Sequence, residues 1–385
     1  MSEQKVCNLI YRYYPIIGGA ENQAILLLPR LQHYGFTPFV VTRKFLKEHE
    51  VSEMKDGYSI YRVPAIGKEL TGHISYTIST LLLLWKRRRG FSIVHVHGSV
   101  GMGLIGLFIA TVLRKKIIIK VSEDQKIGRI MRKWYGPVVL SLFNNIDRVV
   151  CISDKIYNDL VKIGFNKKKV AFIPNGVDSD KFSPPDNKMV LRNEYKLDPD
   201  CFTVIFCGRL VRRKGLDILL RAWLCFIHDH PQSRLIVIGS DSLQSEGVET
   251  ESKRFVAEHN MTEQVHFLGI QRQVDKFLKC ADLFVFPARN EGEGLSNILL
   301  EAMACGLPVI ASDIDANRQL LVDGANGLLY PPEDYKRLLS KILLLRCDNQ
   351  MSQEMGENAR KTILAGYNID SVTNQYVKLY NTLNI

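Results

Sequence analysis

The chain has 385 residues, 46% of them hydrophobic and 24% charged, with a formal net charge of +11. These are globular values at a length beyond what one hydrophobic core usually supports, so two domains of roughly 150 to 200 residues are expected. There is no low-complexity tract or internal repeat, and the longest apolar run, Val100 to Leu113, is shorter than the roughly 20 residues a membrane-spanning helix needs. Disordered, repeat-built and membrane-spanning classes are thereby set aside.

In chain order, the opening MSEQKVCNLIYRYY has no secretory hydrophobic region, so a cytoplasmic protein is expected. Val6 to Ile10 reads as a strand. Tyr14 to Glu21 (YPIIGGAE) then sets Gly18 and Gly19 before a helix that carries Ala24, Leu27, Leu28 and Leu31 on one face and closes at Gly35. Glycines at such a helix start let backbone approach an anion; a tight turn without a ligand uses them equally. Phe39 to Thr42 is the next strand. Leu81 to Trp85 run into Lys86 to Arg89, either an interfacial membrane segment or a core helix whose basic end suits its dipole.

Ile93 to His97 is a third strand, and His97 at its end is a candidate catalytic residue or a satisfied structural histidine. Gly101-x-Gly103-x-x-Gly106 follows, with Glu123 twenty residues past Gly103. A dinucleotide fingerprint has that form, and an NAD-linked oxidoreductase is one alternative; helix packing against a sheet is the ordinary reading of such glycines. Ile117 to Lys120 and Arg148 to Ile152 are further strands, separated by Lys126 to Trp134, which mixes basic and apolar residues. Ile173 to Asp178 (IPNGVD) makes a rigid polar turn around Asn175.

Pro184, Pro185 and the polar stretch to Asp200 separate this series from a second one. Thr203 to Cys207, Arg234 to Ile238, Val265 to Leu268, Leu283 to Phe286 and Pro308 to Ala311 alternate with helical patterns. Short β-branched runs alternating with helices are βαβ wiring. The expected class is therefore α/β, with two Rossmann-like doubly wound parallel-sheet domains facing a central cleft. The boundaries expected are 1–182 and 183–365, with 366–385 a terminal helical segment.

Ligands of such sheets collect beyond the carboxyl ends of the strands. There, Phe206 to Gly215 (FCGRLVRRKG) sends out Arg209 and places Lys214 and Gly215 at a helix start, an arrangement of cations suited to a diphosphate. Asn290 to Val309 holds Glu301 in an apolar helix pattern, with Glu293 eight positions earlier. A carboxylate among Leu299, Leu300, Ala302 and Met303 costs several kcal/mol of desolvation unless it has a dedicated partner.

Charge is unevenly divided. Residues 1–182 hold 28 Lys and Arg against 14 Asp and Glu (+14), and residues 183–385 hold 23 against 26 (−3). The excess lies at Lys86 to Arg89, Arg114 to Lys116, Arg129 with Arg132 and Lys133, and Lys167 to Lys169. No nucleic-acid recognition pattern accompanies it, so nucleic acid is not an expected partner; the anionic face of a membrane and ordinary solvated charge are. The eight scattered cysteines read as small buried thiols of a reducing compartment, with no metal site.

Together, Gly18-Gly19, Ile173 to Asp178 with Phe182, Gly208-Arg-Leu with Lys214-Gly215, His266 to Gly269, Ala281 to Pro287 and Glu293 to Ala304 resemble family 4 of the glycosyltransferases, retaining nucleotide-sugar transferases of the GT-B fold. The resemblance implies an acceptor-side first domain, a donor-binding second domain and a terminal segment packing back on the first. It implies that Glu301 holds the ribose hydroxyls and Glu293 the hydroxyls of the donor sugar, while the Gly294 and Leu295 amides meet the diphosphate. Arg209 and Lys214 would neutralise the diphosphate as it leaves, without a divalent metal or other cofactor, and the backbone near Gly269 and Ile270 would bind the base. Gly18, Gly19 and Asn175 complete the binding set.

The implied activity is transfer of a sugar, from UDP by preference, to an acceptor hydroxyl with retained configuration. The acceptor expected is a lipid-linked glycan of cell-surface polysaccharide or glycolipid synthesis, met at the inner face of the cell membrane. A non-catalytic nucleotide-sugar-binding subunit is the other alternative. Many relatives have a histidine where this chain reads Lys120, Ser122, Glu123 and Asp124.

Overall fold

The computed structural model describes residues 4–15, 18–46, 48–67, 69–121, 133–134, 136–195, 197–241, 247–289 and 294–383. They form two compact units, Met1–Gly176 with Ile369–Ile385, and Val177–Asn368. The first boundary falls after Gly176, and the chain returns to the first unit at Ile369.

The first unit runs β1 (Gln4–Ile10), α1 (Gly19–Gln32), β2 (Phe36–Arg43), β3 (Ser52–Lys55), β4 (Tyr58–Val63), α2 (Glu69–Lys86), β5 (Ile93–His97), α3 (Val100–Leu113), β6 (Lys116–Val121), α4 (Gly136–Phe143), β7 (Arg148–Cys151), α5 (Asp154–Lys162) and β8 (Val170–Phe172). Its sheet has the order β3-β4-β2-β1-β5-β6-β7-β8. All neighbours are parallel except β3 with β4. That antiparallel edge departs from an all-parallel expectation. Asp56 and Gly57 both have positive φ, 47° and 83°, the two-residue turn whose twist suits a hairpin.

Two of the glycines of α3, Gly103 and Gly106, serve packing. A Cβ on Gly106 would lie 2.3 Å from Val96 Cγ2 of β5, and one on Gly103 would lie 2.9 Å from Ile119 Cδ1 of β6. They let the helix lie close on the sheet, as the ordinary reading of the Gly101 to Gly106 pattern has it; Glu123 lies outside the described residues. The thiols divide: Cys7, Cys151, Cys201, Cys207, Cys280 and Cys305 are buried, whereas Cys225 and Cys347 are exposed, which the sequence reading did not separate.

The second unit runs α6 (Lys188–Glu194), β9 (Thr203–Cys207), α7 (Leu216–Asp229), β10 (Arg234–Ile238), α8 (Val248–Glu258), β11 (Val265–Gly269), α9 (Val274–Cys280), β12 (Leu283–Phe286), α10 (Asn297–Ala304), β13 (Val309–Ser312), α11 (Asp315–Arg318), β14 (Leu328–Tyr330), α12 (Tyr335–Cys347) and α13 (Asn349–Gly366). Its sheet order, β11-β10-β9-β12-β13-β14, is wholly parallel and reverses direction between β9 and β12. That reversal is the switch point at which open α/β sheets bind ligands, beyond the strands' carboxyl ends. Asp282, just before β12, accepts from Arg192 and Lys188 of α6 and from the Thr203 amide of β9, which locks the central strand pair in register.

The last helix, α14 (Ile369–Asn381), returns to the first unit. Ile369, Val372, Tyr376, Leu379 and Tyr380 repeat at three- and four-residue steps and join the core cluster of α1, β1, β2 and β5. Tyr380 Oη lies 2.8 Å from His95 Nδ1 of β5, and Arg30 of α1 pairs with Asp370 at 2.9 Å. Truncating the buried Tyr376 to alanine is expected to cost the first unit about 3 to 5 kcal/mol. Hydrogen exchange would show it as lost protection in β1 and β5 with the β9 to β13 amides unaffected; unaltered protection in β5 would contradict this docking.

Candidate active site

In the second unit, β9 is a run of fully buried β-branched and aromatic residues ending at Cys207 and Gly208. The Gly208 amide donates to Ile238 O at 3.0 Å and the Leu210 amide to Ser240 O at 3.0 Å, so the loop leaves the sheet alongside β10. Arg209 between them is exposed. A single 3-10 turn, Arg212–Lys214, leads to Gly215, whose φ of +71° caps α7. A Cβ there would lie 1.9 Å from Pro287 O, so only glycine lets the start of α7 meet the end of β12. Arg289, two residues on, pairs with both carboxylate oxygens of Asp217 at 2.9 and 2.7 Å. Burial raises the Asp217 carboxyl, and the Arg289 guanidinium, with backbone and Arg221, brings it below its ordinary value.

This anchoring buries Lys214 to 9% exposure with its ammonium 4.8 Å from the centre of the Phe286 ring. Glu301 lies in α10, half-buried among the buried Leu299, Leu300, Ala302 and Met303. Among the described residues no side chain donates a hydrogen bond to its carboxyl. Burial pushes its pKa up to about 8, against the opposing field of Lys181 and with a further push from Asp275. The Cys207 thiol, at the end of β9, is buried. Its pKa is raised first by burial and then by the field of Glu301, while that of Lys214 lowers it. The start of α10 is open in one respect: Ser296, its N-cap, makes no capping hydrogen bond with its side chain.

Of the other expected donor-side residues, Leu295 is buried just before α10 and Gly294 half-buried. Ile270 is 78% exposed immediately after Gly269, whose carbonyl accepts from the Gly239 amide at 2.8 Å. Glu293 lies outside the described residues. Sequence reading noted Lys181 only as part of the polar turn after Asp178 and missed Asp217, Arg289 and Asp275, which join this site through the adjacency of β9 and β12 and the packing on α10.

The first unit holds the remainder. Gly18 caps α1 in extended geometry and its carbonyl accepts from the Asn22 amide. Asn175 is buried in a turn that Gln23 of α1 clamps, giving to Gly176 O and taking from Gly176 N, each at 2.8 Å. His97 is buried with Nε2 3.1 Å from Asn8 Oδ1 and its ring 4.1 Å from that of His95. Burial, His95 and Lys120 hold it well below the usual histidine range, so it is neutral. Lys120, opposite His97 in the β5–β6 register, is buried over the Tyr376 ring and lowered by that burial to about 7. Asn8, His95, His97 and Lys120 thus form a buried polar group on one sheet face, of which the sequence singled out His97 and Lys120. Ser122 and Asp124 lie outside the described residues.

Comparison with known proteins places these features. Residues 187–362 match the family model described as glycosyl transferases group 1, and residues 17–181 match that of Glycosyltransferase Family 4. The chain belongs to family 4 of the glycosyltransferases. This glycosyltransferase is 25% identical over 345 residues to the Escherichia coli UDP-Gal:alpha-D-GlcNAc-diphosphoundecaprenol alpha-1,3-galactosyltransferase, covering 85% of this chain and 84% of that one. It is 26% identical to the capsular polysaccharide biosynthesis glycosyltransferase CapM of Staphylococcus aureus, over 78% of this chain and 79% of that one. In fold the glycosyltransferase matches Anabaena Alr3699/HepE, solved in complex with UDP and glucose, with a TM-score of 0.82 at 17% identity over 98% of this chain and 99% of that one. It matches the sucrose-phosphate synthase of Thermosynechococcus elongatus with a TM-score of 0.82 at 23% identity and 99% coverage of both chains. Its fold is GT-B.

Proposed function

We propose that this glycosyltransferase moves a hexosyl group from a UDP-sugar to a hydroxyl of a lipid-linked glycan, with retention at the anomeric carbon, in the synthesis of a cell-surface polysaccharide or glycolipid. The observation that carries the nucleotide-sugar reading is Glu301, a carboxyl desolvated by its apolar neighbours to which no side chain of the described residues donates, in the same unit as Lys214, buried just past the switch-point end of β9. A ribose diol supplies the hydrogen bonds that Glu301 lacks, and the diphosphate supplies the anion that Lys214 faces.

In the proposed reaction the acceptor oxygen forms its bond to the anomeric carbon on the face that the diphosphate leaves. The bond from that carbon to the β-phosphate oxygen breaks, and the acceptor proton passes to the departing phosphate oxygen. Arg209 and Lys214 carry the charge that builds on the leaving group, a role that needs no further cofactor. Glu293 holds the donor-sugar hydroxyls, and Gly294 and Leu295 at the start of α10 meet the phosphates. Ile270 borders the base, while Gly18, Gly19, Asn175 and His97 serve from the first unit. The choice of UDP and of a lipid-linked acceptor is supported by the names of the E. coli relative and of HepE's bound ligands, and the polysaccharide setting by CapM.

Thermal shift against UDP, GDP, ADP and NAD tests the donor, since a ligand at about 100 times its Kd adds about 2.7 kcal/mol. Stabilisation by UDP is expected. Proton NMR of the product formed from an α-configured UDP-sugar is expected to show an α-linkage; a β-linked product would exclude retention.

A further inference from the structure

We propose that the outer face of α2, with the adjoining surfaces of α3 and α4, docks into the interface of an anionic lipid bilayer. The proposal deepens the lipid-linked acceptor reading, and rests on it for its purpose though not for its evidence.

From Leu70 to Trp85 the chain contains no Asp, Glu, Lys or Arg. Gly72, Tyr76, Thr80 and Leu84 repeat every four residues on the inner face and are buried. Two positions earlier in each turn, about 200° round the helix, stand Leu70, Ile74, Ile78 and Leu82. These four and Trp85 are between 49% and 71% exposed. A surface helix of a water-soluble domain ordinarily puts charged and polar residues on that side. The helices packed in turn beside α2 also show apolar side chains to solvent, Phe108 on α3 and Val138 and Leu142 on α4. Large apolar side chains exposed on three helices packed in turn point to a docking surface.

Charge decides what docks. Between Leu70 and Lys116 there are seven basic residues, Lys86 to Arg89 and Arg114 to Lys116, and no acidic one. Lys86, Arg87 and Arg89 are exposed where the apolar stripe ends, and Arg88 lies over the Trp85 ring at 4.7 Å. An aliphatic stripe bordered by tryptophan and a basic cluster matches the acyl boundary and acidic headgroups of a bilayer surface. Of the seven basic residues Lys116 pairs with Asp147 at 3.1 Å, and a second copy on this face would still bring two rims of like charge together. No helix of the described residues is long and apolar enough to cross a membrane, so the face lies in the interface.

Flotation of the full chain with phosphatidylcholine vesicles, with and without phosphatidylglycerol, tests the assignment. Binding is expected only with phosphatidylglycerol at ~0.1 M salt, and less as salt rises. The double variant Ile74→Glu with Ile78→Glu is expected to lower partitioning about tenfold or more while its thermal midpoint and UDP affinity stay those of the parent. Lys86→Gln with Arg87→Gln and Arg89→Gln is expected to weaken binding and flatten its salt dependence. No flotation of the parent protein, or flotation unaltered in the glutamate variant, overturns the proposal. So does a dimer in sedimentation velocity that the glutamate variant separates, because it assigns the face to a second copy. Failure of the acceptor reading shows separately, as a protein that floats yet transfers nothing to detergent-solubilised lipid-linked acceptors.

Discussion

Replacing Lys214 by methionine is expected to lower kcat about a hundredfold to a thousandfold, the usual cost of removing one well-placed donor to developing charge. The reason is its setting. The Lys214 ammonium is held over Phe286 with little solvent access, on a turn fixed by Gly215 against Pro287 and by Arg289 on Asp217. A cation so placed does not reorganise as the diphosphate departs, and the low local dielectric strengthens its effect. Methionine keeps the stem against Phe286, so folding should be little changed. Single-turnover transfer and UDP calorimetry on the same samples separate the steps: the loss in turnover should exceed the loss in UDP affinity. A variant within roughly threefold of the parent in kcat/KM would remove Lys214 from the leaving-group role.

Glu301→Gln is expected to make the free protein more stable and at the same time abolish its stabilisation by UDP. Burial raises the Glu301 carboxyl from 4.5 to about 8. Between those values the unfolded chain has released the proton that the folded chain still holds, so stability falls as pH rises through this window. Below about pH 4.5 the penalty is absent, and above about 8 it is complete. Its full size is on the order of 2 to 4 kcal/mol, allowing for the partial exposure of the side chain. The neutral amide escapes it. Denaturation of both proteins near pH 5 and near pH 8.5 should show a gap that opens with pH. A constant gap would mean that Glu301 already has a partner in the free protein. A variant that UDP still stabilises would take the ribose contact away from this residue.

Both substitutions act at a place that a linear reading reached only in part. The strands β5, β9, β10 and β12 fall within the apolar runs that predict them, because a parallel strand buried on both faces is written as a continuous β-branched or aromatic run. Glu301 was legible for the opposite reason, as a charge inside such a pattern. The β3–β4 edge was announced by Asp56-Gly57 and still missed, since a short half-exposed hairpin has no apolar run to attract notice.

Local pattern, then, determined that this chain alternates strand and helix twice over, where its glycines and prolines punctuate it, and which polar residues stand at strand ends. Neighbourhood was decided only by tertiary structure. Asp217 meets Arg289 because β9 pairs with the distant β12 on one side as it does with β10 on the other, and His95 meets Tyr380 because the last helix returns to the first sheet. The same holds for α2. From Leu70 to Trp85 it has no Asp, Glu, Lys or Arg, and its apolar residues fall on opposite sides, so periodicity gave no inner side; packing buried Tyr76 and Leu84 and left Ile74 and Leu82 facing outward. Helix and strand arise from interactions a few residues apart, whereas burial and pairing depend on elements hundreds of positions distant.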